Sequence, residues 1–200
     1  MKILAVADIH GSQYRLNLVL KNIERYSPEL LVVCGDITQF GPGDVAKNFL
    51  NQIPIETIAV TGNIDTPDVK KGIDESKATR VELKKVVKKD LSFVGCSGVN
   101  PDDFKFLKNK ELVDNRSILI THIPPYKMQD KIFVGNHGGS KKLRELIDEF
   151  KPRLVLCGHI HEDPGFTKNK DTVVVNCSIG KRGEGALIEI NNKINVEMLE

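Results

Sequence analysis

The chain contains no apolar run near the roughly 18 residues that a membrane-spanning helix requires. Its first apolar run, Lys2 to Ala7, is short and ends at Asp8, which argues against a secretory leader. Neither charge is in excess: 29 Lys and Arg face 27 Asp and Glu, a formal net charge of +2. Electrostatics alone therefore give no case for nucleic acid or an anionic membrane as partner. There is no C-x-x-C pair either. Cys34, Cys96, Cys157 and Cys177 are scattered, each in or beside an apolar run, and read as small core residues of a reducing compartment. No repeat, linker or low-complexity segment interrupts the 200 residues. These absences, with 40% hydrophobic residues, predict one soluble, cytoplasmic domain over residues 1–200, with no membrane partner.

The periodicities alternate between strand and helix. Lys2 to Ala7 has strand length, and Leu16, Val19, Leu20 and Ile23 then fall on one helical face that Ser12 can cap. Leu30 to Cys34 is a second strand, Asp44 to Leu50 a short helix with Asp44 as its acidic N-cap, and Ile55 to Val60 a third strand. This β-α-β-α-β opening predicts a largely parallel sheet with right-handed crossovers. Arg80 to Val87 and Leu91 to Gly95 follow as short strands, with Lys84, Lys85, Lys88 and Lys89 read as a solvated hairpin. A helix over Phe104 to Lys110 and a strand over Ser117 to Thr121 come next.

An aperiodic stretch after His122 is long for a compact domain, which points to function. It carries Ile132-Phe133-Val134, readable as a lid, a dimer contact or core. Ser140 then caps a helix bearing Leu143, Leu146, Ile147 and Phe150, and Arg153 to Cys157 is a buried strand. Strands over Thr172 to Asn176, Ala186 to Ile190 and Lys193 to Leu199 complete the chain. One sheet of ordinary width cannot hold so many strands. The expected fold is α/β, a four-layer αββα sandwich of two mixed sheets flanked by helices.

Polar residues of one kind recur where these strands end: Asp8-Ile9-His10, Gly35-Asp36, Gly62-Asn63, His122 and Gly158-His159-Ile160-His161. In open α/β sheets ligands bind outside the carboxyl ends of strands, so the topology gathers these seven residues. A strand-terminal Asp more often closes a turn than binds metal. Nothing structural, however, asks for two histidines after Gly158, and histidine is the commonest metal ligand. The glycines preceding Asp36, Asn63 and His159 suit sharp turns that let side chains crowd a centre.

In these blocks the sequence resembles the calcineurin-like metallophosphoesterases, whose motifs run D-x-H, G-D, G-N-H-[ED], H and G-H-x-H on an αββα fold. The closest likeness is to the small single-domain phosphodiesterase-like branch. The resemblance implies that Asp8, His10, Asp36 and His161 hold one metal and Asp36, Asn63, His122 and His159 the other, with Asp36 bridging. Mixed nitrogen and oxygen ligation without thiolate suits transition metals, manganese first, with iron, nickel, cobalt or zinc as alternatives. Two such ions about 4 Å apart would make hydroxide from a bridging water and clamp the phosphoryl oxygens. The implied activity is hydrolysis of phosphodiesters, or of monoesters, on a small phosphate-ester substrate by a monomer or homodimer.

Ile64 departs from the family pattern. It stands where a proton-donating histidine is usual, leaving Asp65, the acid that would orient it, without that partner. General acid help matters most for poor leaving groups. His137, in the loop before the Ser140 helix, is the candidate replacement or phosphate contact, its rival being an ordinary surface histidine. Lys181 and Arg182 read as solvated turn charges that could touch substrate. Two alternatives stand beside the enzyme: a catalytically inactive metal-binding scaffold, favoured only by Ile64, and a nuclease, which lacks the basic groove it would need.

Overall fold

The computed structural model describes residues 1–108 and 112–200. The first half runs β1 (Lys2–Val6), α1 (Gln13–Tyr26), β2 (Leu30–Cys34), α2 (Gly43–Gln52), β3 (Thr57–Val60), α3 (Pro67–Asp74) and a two-residue β4 (Thr79–Arg80). The four strands pair in parallel. A hairpin, β5 (Lys84–Lys88) and β6 (Leu91–Gly95), opens the second half. There follow α4 (Pro101–Leu107), β7 (Ser117–Ile120), a 3-10 turn at Phe133–Gly135, α5 (Lys141–Phe150), β8 (Leu154–Cys157), β9 (Gly165–Asn169), β10 (Thr172–Asn176), β11 (Ala186–Ile190) and β12 (Ile194–Met198). The strands form two mixed six-stranded sheets, ordered β12-β11-β1-β2-β3-β4 and β5-β6-β7-β8-β10-β9. Helices flank them, as expected.

The strands are apolar on both faces because both faces are covered. Ile3, Ala5, Val32, Cys34, Ile58 and Val60 point between the sheets and meet Phe93, Ile118, Ile120, Leu154, Leu156 and Val175. Their alternating neighbours Leu4, Val6, Leu31, Val33 and Ala59 pack under α1 to α3. On the far side, Val94, Leu119, Val155 and Val174 pack under α4 and α5 with Leu143, Leu146 and Ile147. All four cysteines are buried free thiols within these layers.

Several local expectations need correction. Arg80 to Val87 is not one strand but the passage between sheets. The Val81 N–H still donates to Ala59 of the first sheet, and the Leu83 N–H already donates to Gly95 of the second. Leu83 makes the break with a φ of +54°. Helix α2 starts at Gly43 after Pro42, so Asp44 lies in its first turn, beside the positive end of the helix dipole, rather than capping it. Helix α3 and strand β9 were not anticipated. Gly72 and four charged residues hide the α3 pattern, yet Gly72 is what lets α3 sit on α2: a Cβ there would lie 2.1 Å from the Gly43 carbonyl. Strand β9 is a mostly polar edge strand. The ends 109–110 of the helix expected over Phe104 to Lys110 lie outside the described residues, as does the side chain of Val134. Ile132 and Phe133 are exposed rather than core.

The lysine hairpin is solvated, as expected. Lys89 and Asp90 turn it with φ of +46° and +66°, and Lys88 and Lys89 pair with Glu56 and Glu29. Both serine caps form: Ser12 accepts from the Arg15 N–H and Ser140 from that of Leu143.

Candidate metal centre

Two sheets can supply one site only if their strand ends meet, and a short backbone stitch makes them meet. The Ala7 N–H donates to the Cys177 carbonyl at 3.1 Å and the Ile179 N–H to the Ala7 carbonyl at 3.0 Å, closing β1 against the end of β10. Asp8 and His10, Asp36, and Asn63 therefore leave β1, β2 and β3 facing His122, which leaves β7, and His159 and His161, which leave β8. The structure brings all seven residues to this seam. Asp8, Asp36 and His122 form a buried floor, and His10, Asn63, His159 and His161 rise toward solvent.

On one side, His10 Nε2 and His161 Nε2 stand 3.2 Å apart. Asp8 Oδ1 is 3.3 Å from His161 Nε2 and 3.8 Å from His10 Nε2. Ligand atoms about 2.1 Å from a shared cation lie about 3 Å from one another, so this triangle has the size of one face of a coordination shell. The donor set fits a divalent transition metal.

On the other side, His122 is fully buried and its Nδ1 lies 2.9 Å from the Cys34 carbonyl. A carbonyl only accepts, so Nδ1 carries the proton and donates it, leaving a lone pair on Nε2 of the neutral ring. That lone pair faces two more oxygens, Asn63 Oδ1 at 2.8 Å and Asp36 Oδ2 at 3.3 Å. Three electron-rich atoms so placed are the arrangement that a bound cation satisfies. The same partners show in the titration of His122: burial lowers its pKa, but Asp36, Asp8 and the Cys34 carbonyl outweigh it and the pKa rises. Donation of the second ring nitrogen to a backbone carbonyl is also how metal-ligating histidines are oriented.

The two groups share Asp8, which lies within 4.8 Å ligand-atom spacing of His10 and His161 in one and of Asp36 and His122 in the other. Burial would raise the Asp8 carboxyl, but a bond to His161 and the charges of His122 and His161 bring it to about 2. Both its oxygens also lie near the His159 N–H, at 3.1 and 3.3 Å. The His159 ring, 5.1 Å from that of His122, is held neutral by burial, with its pKa lowered to about 4.

Four of the seven residues sit in left-handed backbone: Asp8, His10, Asp36 and His159, with φ of 66°, 53°, 49° and 68°. Each costs roughly 1 kcal/mol for a residue with a Cβ, a cost that persists where the surroundings over-determine it and that clusters at functional sites. The glycines act more by letting chains close than by turning. A Cβ on Gly62 would lie 2.1 Å from Asp36 Oδ1, and one on Gly35 would lie 2.7 Å from His122 Nδ1.

The family profile of the calcineurin-like phosphoesterases matches residues 1–163. The chain belongs to that family. An uncharacterized protein of Methanocaldococcus jannaschii is 34% identical over 89% of this chain and 88% of its own length. Two solved structures share the fold at low identity. One is described as a novel archaeal phosphodiesterase, with TM-score 0.59, 17% identity and all of both chains covered. The other is a dimetal phosphatase of Danio rerio, with TM-score 0.61, 12% identity and 99% and 95% of the two chains covered.

In this calcineurin-like phosphoesterase the turn after Asn63 is built around Asp65. Its Oδ2 accepts from the N–H groups of Ile37 and Gly62, and its Oδ1 from the N–H and hydroxyl of Thr38. Burial pushes its carboxyl up against the pull of those donors. Through these bonds Asp65, expected beside the missing histidine, ties the Asp36 turn to the Asn63 turn. Ile64 contributes its N–H to Asp36 Oδ1 at 3.1 Å.

Among the described residues, no hydrogen bond, ion pair or ring contact joins His137 to the seven. Its Nδ1 is 2.6 Å from Asp130 Oδ1 and its ring meets Tyr126 edge-on at 5.4 Å. Its loop nonetheless borders the centre, since a Cβ on Gly138 would lie 3.0 Å from Ile160 Cδ1, between His159 and His161. Arg15 and Asp130 were missed from the sequence. Arg15 donates to the carbonyls of Asp8, Ile9 and Gly180, fixing the first turn against the last. Its signal was an arginine beside Leu16 on the apolar face of α1. Asp130 gave none, because its partners come from across the loop.

Proposed function

We propose that this protein hydrolyses phosphodiesters, and monoesters less well, with two divalent transition-metal ions, manganese favoured, held by Asp8, His10, Asp36, Asn63, His122, His159 and His161. The observation that carries the reading is the convergence of metal-ligand atoms on two adjoining volumes that share Asp8, each of a size to hold a cation. The diester preference is supported by the likeness to the archaeal phosphodiesterase. When bound, two cations supply an activated water and positive charge against the phosphoryl oxygens.

The chain's own part is positioning and proton supply. Cys34 fixes the His122 ring, Asp65 holds Asp36 and Asn63 in register, and Arg15 holds the Asp8 and His10 turn. No acid stands at position 64, so the leaving oxygen needs its proton from elsewhere. His137 is the donor in this reading, because the Asp130 carboxylate at 2.6 Å orients its ring. The four buried free thiols fit a cytoplasmic setting.

The test is metal-stripped protein reloaded with manganese, nickel, cobalt, zinc or magnesium. It is assayed on aryl phosphate mono- and diesters, cyclic nucleotides and single-stranded DNA, with bound metal counted in parallel. Turnover of diesters at two ions per chain is expected. Full loading with no turnover of any ester would favour the scaffold, and DNA cleavage far exceeding small-ester turnover would favour a nuclease.

A further inference from the structure

We infer that the cleft continues past His10 into a subsite for a second anionic group on the ester's alcohol, read by Arg182. The inference rests on the hydrolase reading for its reaction but on separate residues for its geometry. A cavity of about 390 Å³ adjoins the metal centre, with His10 at its inner end, the start of α1 on one wall and the turn 179–184 on the other. That is room for a ring-sized alcohol.

Three cations line this cavity, and two are already committed. Arg15 spends its guanidinium on the carbonyls of Asp8, Ile9 and Gly180, the last at 2.6 Å. Lys181 pairs with Glu162 at 2.7 Å and stands over the Phe133 ring at 4.9 Å. Arg182 is exposed and, among the described residues, has neither a hydrogen bond nor an ion pair. The cavity's one carboxylate, Glu184, takes the Asn22 amide at 3.3 Å. With Lys181 neutralised by Glu162, the charges of Arg15 and Arg182 against that of Glu184 leave this space net positive, an anion's environment.

Arg182 also lines a second cavity, of about 440 Å³, on its far side. There the charged companions are Glu162, already paired with Lys181, and Glu200. With the Arg15 guanidinium on one side of Arg182 and the Glu200 carboxylate on the other, an anion bound by Arg182 is favoured on the His10 side, toward the centre. Tyr14, 72% exposed, and Gln39 line the same space and offer a flat ring and an amide beside the guanidinium. The substrate class is a phosphate ester of a compact, planar alcohol that carries a carboxylate or second phosphate, which a guanidinium grips with paired hydrogen bonds.

The experiment compares 3-carboxyphenyl phosphate with its neutral 3-carboxamidophenyl counterpart, each as the monoester and the methyl diester, on manganese-loaded protein. Wild type should favour the carboxylate by about tenfold or more in kcat/KM, carried by KM. Arg182→Ala should bring the two substrates to parity, Arg182→Lys should retain part of the preference, and Arg116→Ala, a remote surface control, should leave the ratio as in wild type. A ratio unchanged by Arg182→Ala overturns the subsite. Calorimetry with the corresponding non-hydrolysable arylphosphonates separates the two readings. If no ester is turned over but the carboxylated phosphonate still binds more tightly through Arg182, the subsite stands and the hydrolase reading falls. Equal binding of both phosphonates to wild type sinks the subsite.

Discussion

Two of the loops that border the metal centre are each organised by one aspartate, the half-buried Asp65 in one and the buried Asp130 in the other. In the turn 62–66, Asp65 gathers the N–H groups of Ile37, Thr38 and Gly62. In the loop 123–140, Asp130 gathers the N–H groups of Lys127 and Gly139 and the ring of His137. A carboxylate has lone pairs enough to replace a small backbone ladder, so irregular chain stays ordered without regular structure. The difference lies in what each loop presents. The first carries one metal-ligand candidate, Asn63, and pins the turn of another, Asp36, but offers the inert Ile64 where an acid is expected. The second holds no ligand candidate but offers His137. In the proposed reading, binding and proton supply, carried by one turn in the family pattern, are divided between two.

Replacing either aspartate breaks that comparison most severely. Asp65→Ala strands three buried backbone donors and should cost about 3–5 kcal/mol in urea unfolding. It should also weaken metal binding at least tenfold, because Asp36 and Asn63 lose their register. Asp130→Ala strands two donors and should cost about 2–4 kcal/mol. Metal affinity should then stay within about twofold. Equal losses of metal affinity in the two variants would show that the loops are not independent.

Removing the acid sharpens the division at smaller effect. His137→Ala should lower turnover of alkyl-leaving-group diesters by about a hundredfold and leave 4-nitrophenyl esters nearly untouched, since a good leaving group needs no proton. Ile64→His in that background should restore part of the loss. Uniform slowing across leaving groups would instead assign His137 to phosphate binding.

The layers of the fold were legible because buried strands announce themselves as apolar runs, and the seven residues because they follow those runs directly. What lay between was less so. The passage Val81 to Leu83 between sheets looked like strand because its residues are strand formers, and only partners far away in sequence decide that Val81 bonds to one sheet and Leu83 to the other. Asp65 was legible as important but its bonds were not, since a motif position cannot tell a carboxylate aimed at substrate from one turned into its own loop. Asp130 was invisible for the same reason. The left-handed φ of Asp8, His10, Asp36 and His159, which marks the site in the structure, goes with contacts far apart in sequence, such as the His10 N–H to the Asp36 carbonyl and the His159 N–H to the Asp8 carboxylate.

Each loop hands the chain to a helix, and the two handovers differ in a way that predicts the smallest effect. Thr66 precedes α3 with no hydrogen bond from its side chain to the helix, whose first position is Pro67. Ser140 precedes α5 and accepts the Leu143 N–H at 3.2 Å. Proline at the first helical position already fixes φ and removes one orphan donor, so α3 needs its cap less. Ser140→Ala should therefore cost about 1 kcal/mol in urea unfolding, and Thr66→Ala only a few tenths. Because Ser140 also gives its N–H to Pro124 and its carbonyl to Tyr126, the backbone anchors the loop whatever the side chain is. The Ser140→Ala protein should thus be less stable yet keep the His137 leaving-group dependence of wild type. A lost dependence would mean that the cap, and not Asp130, sets the position of the histidine.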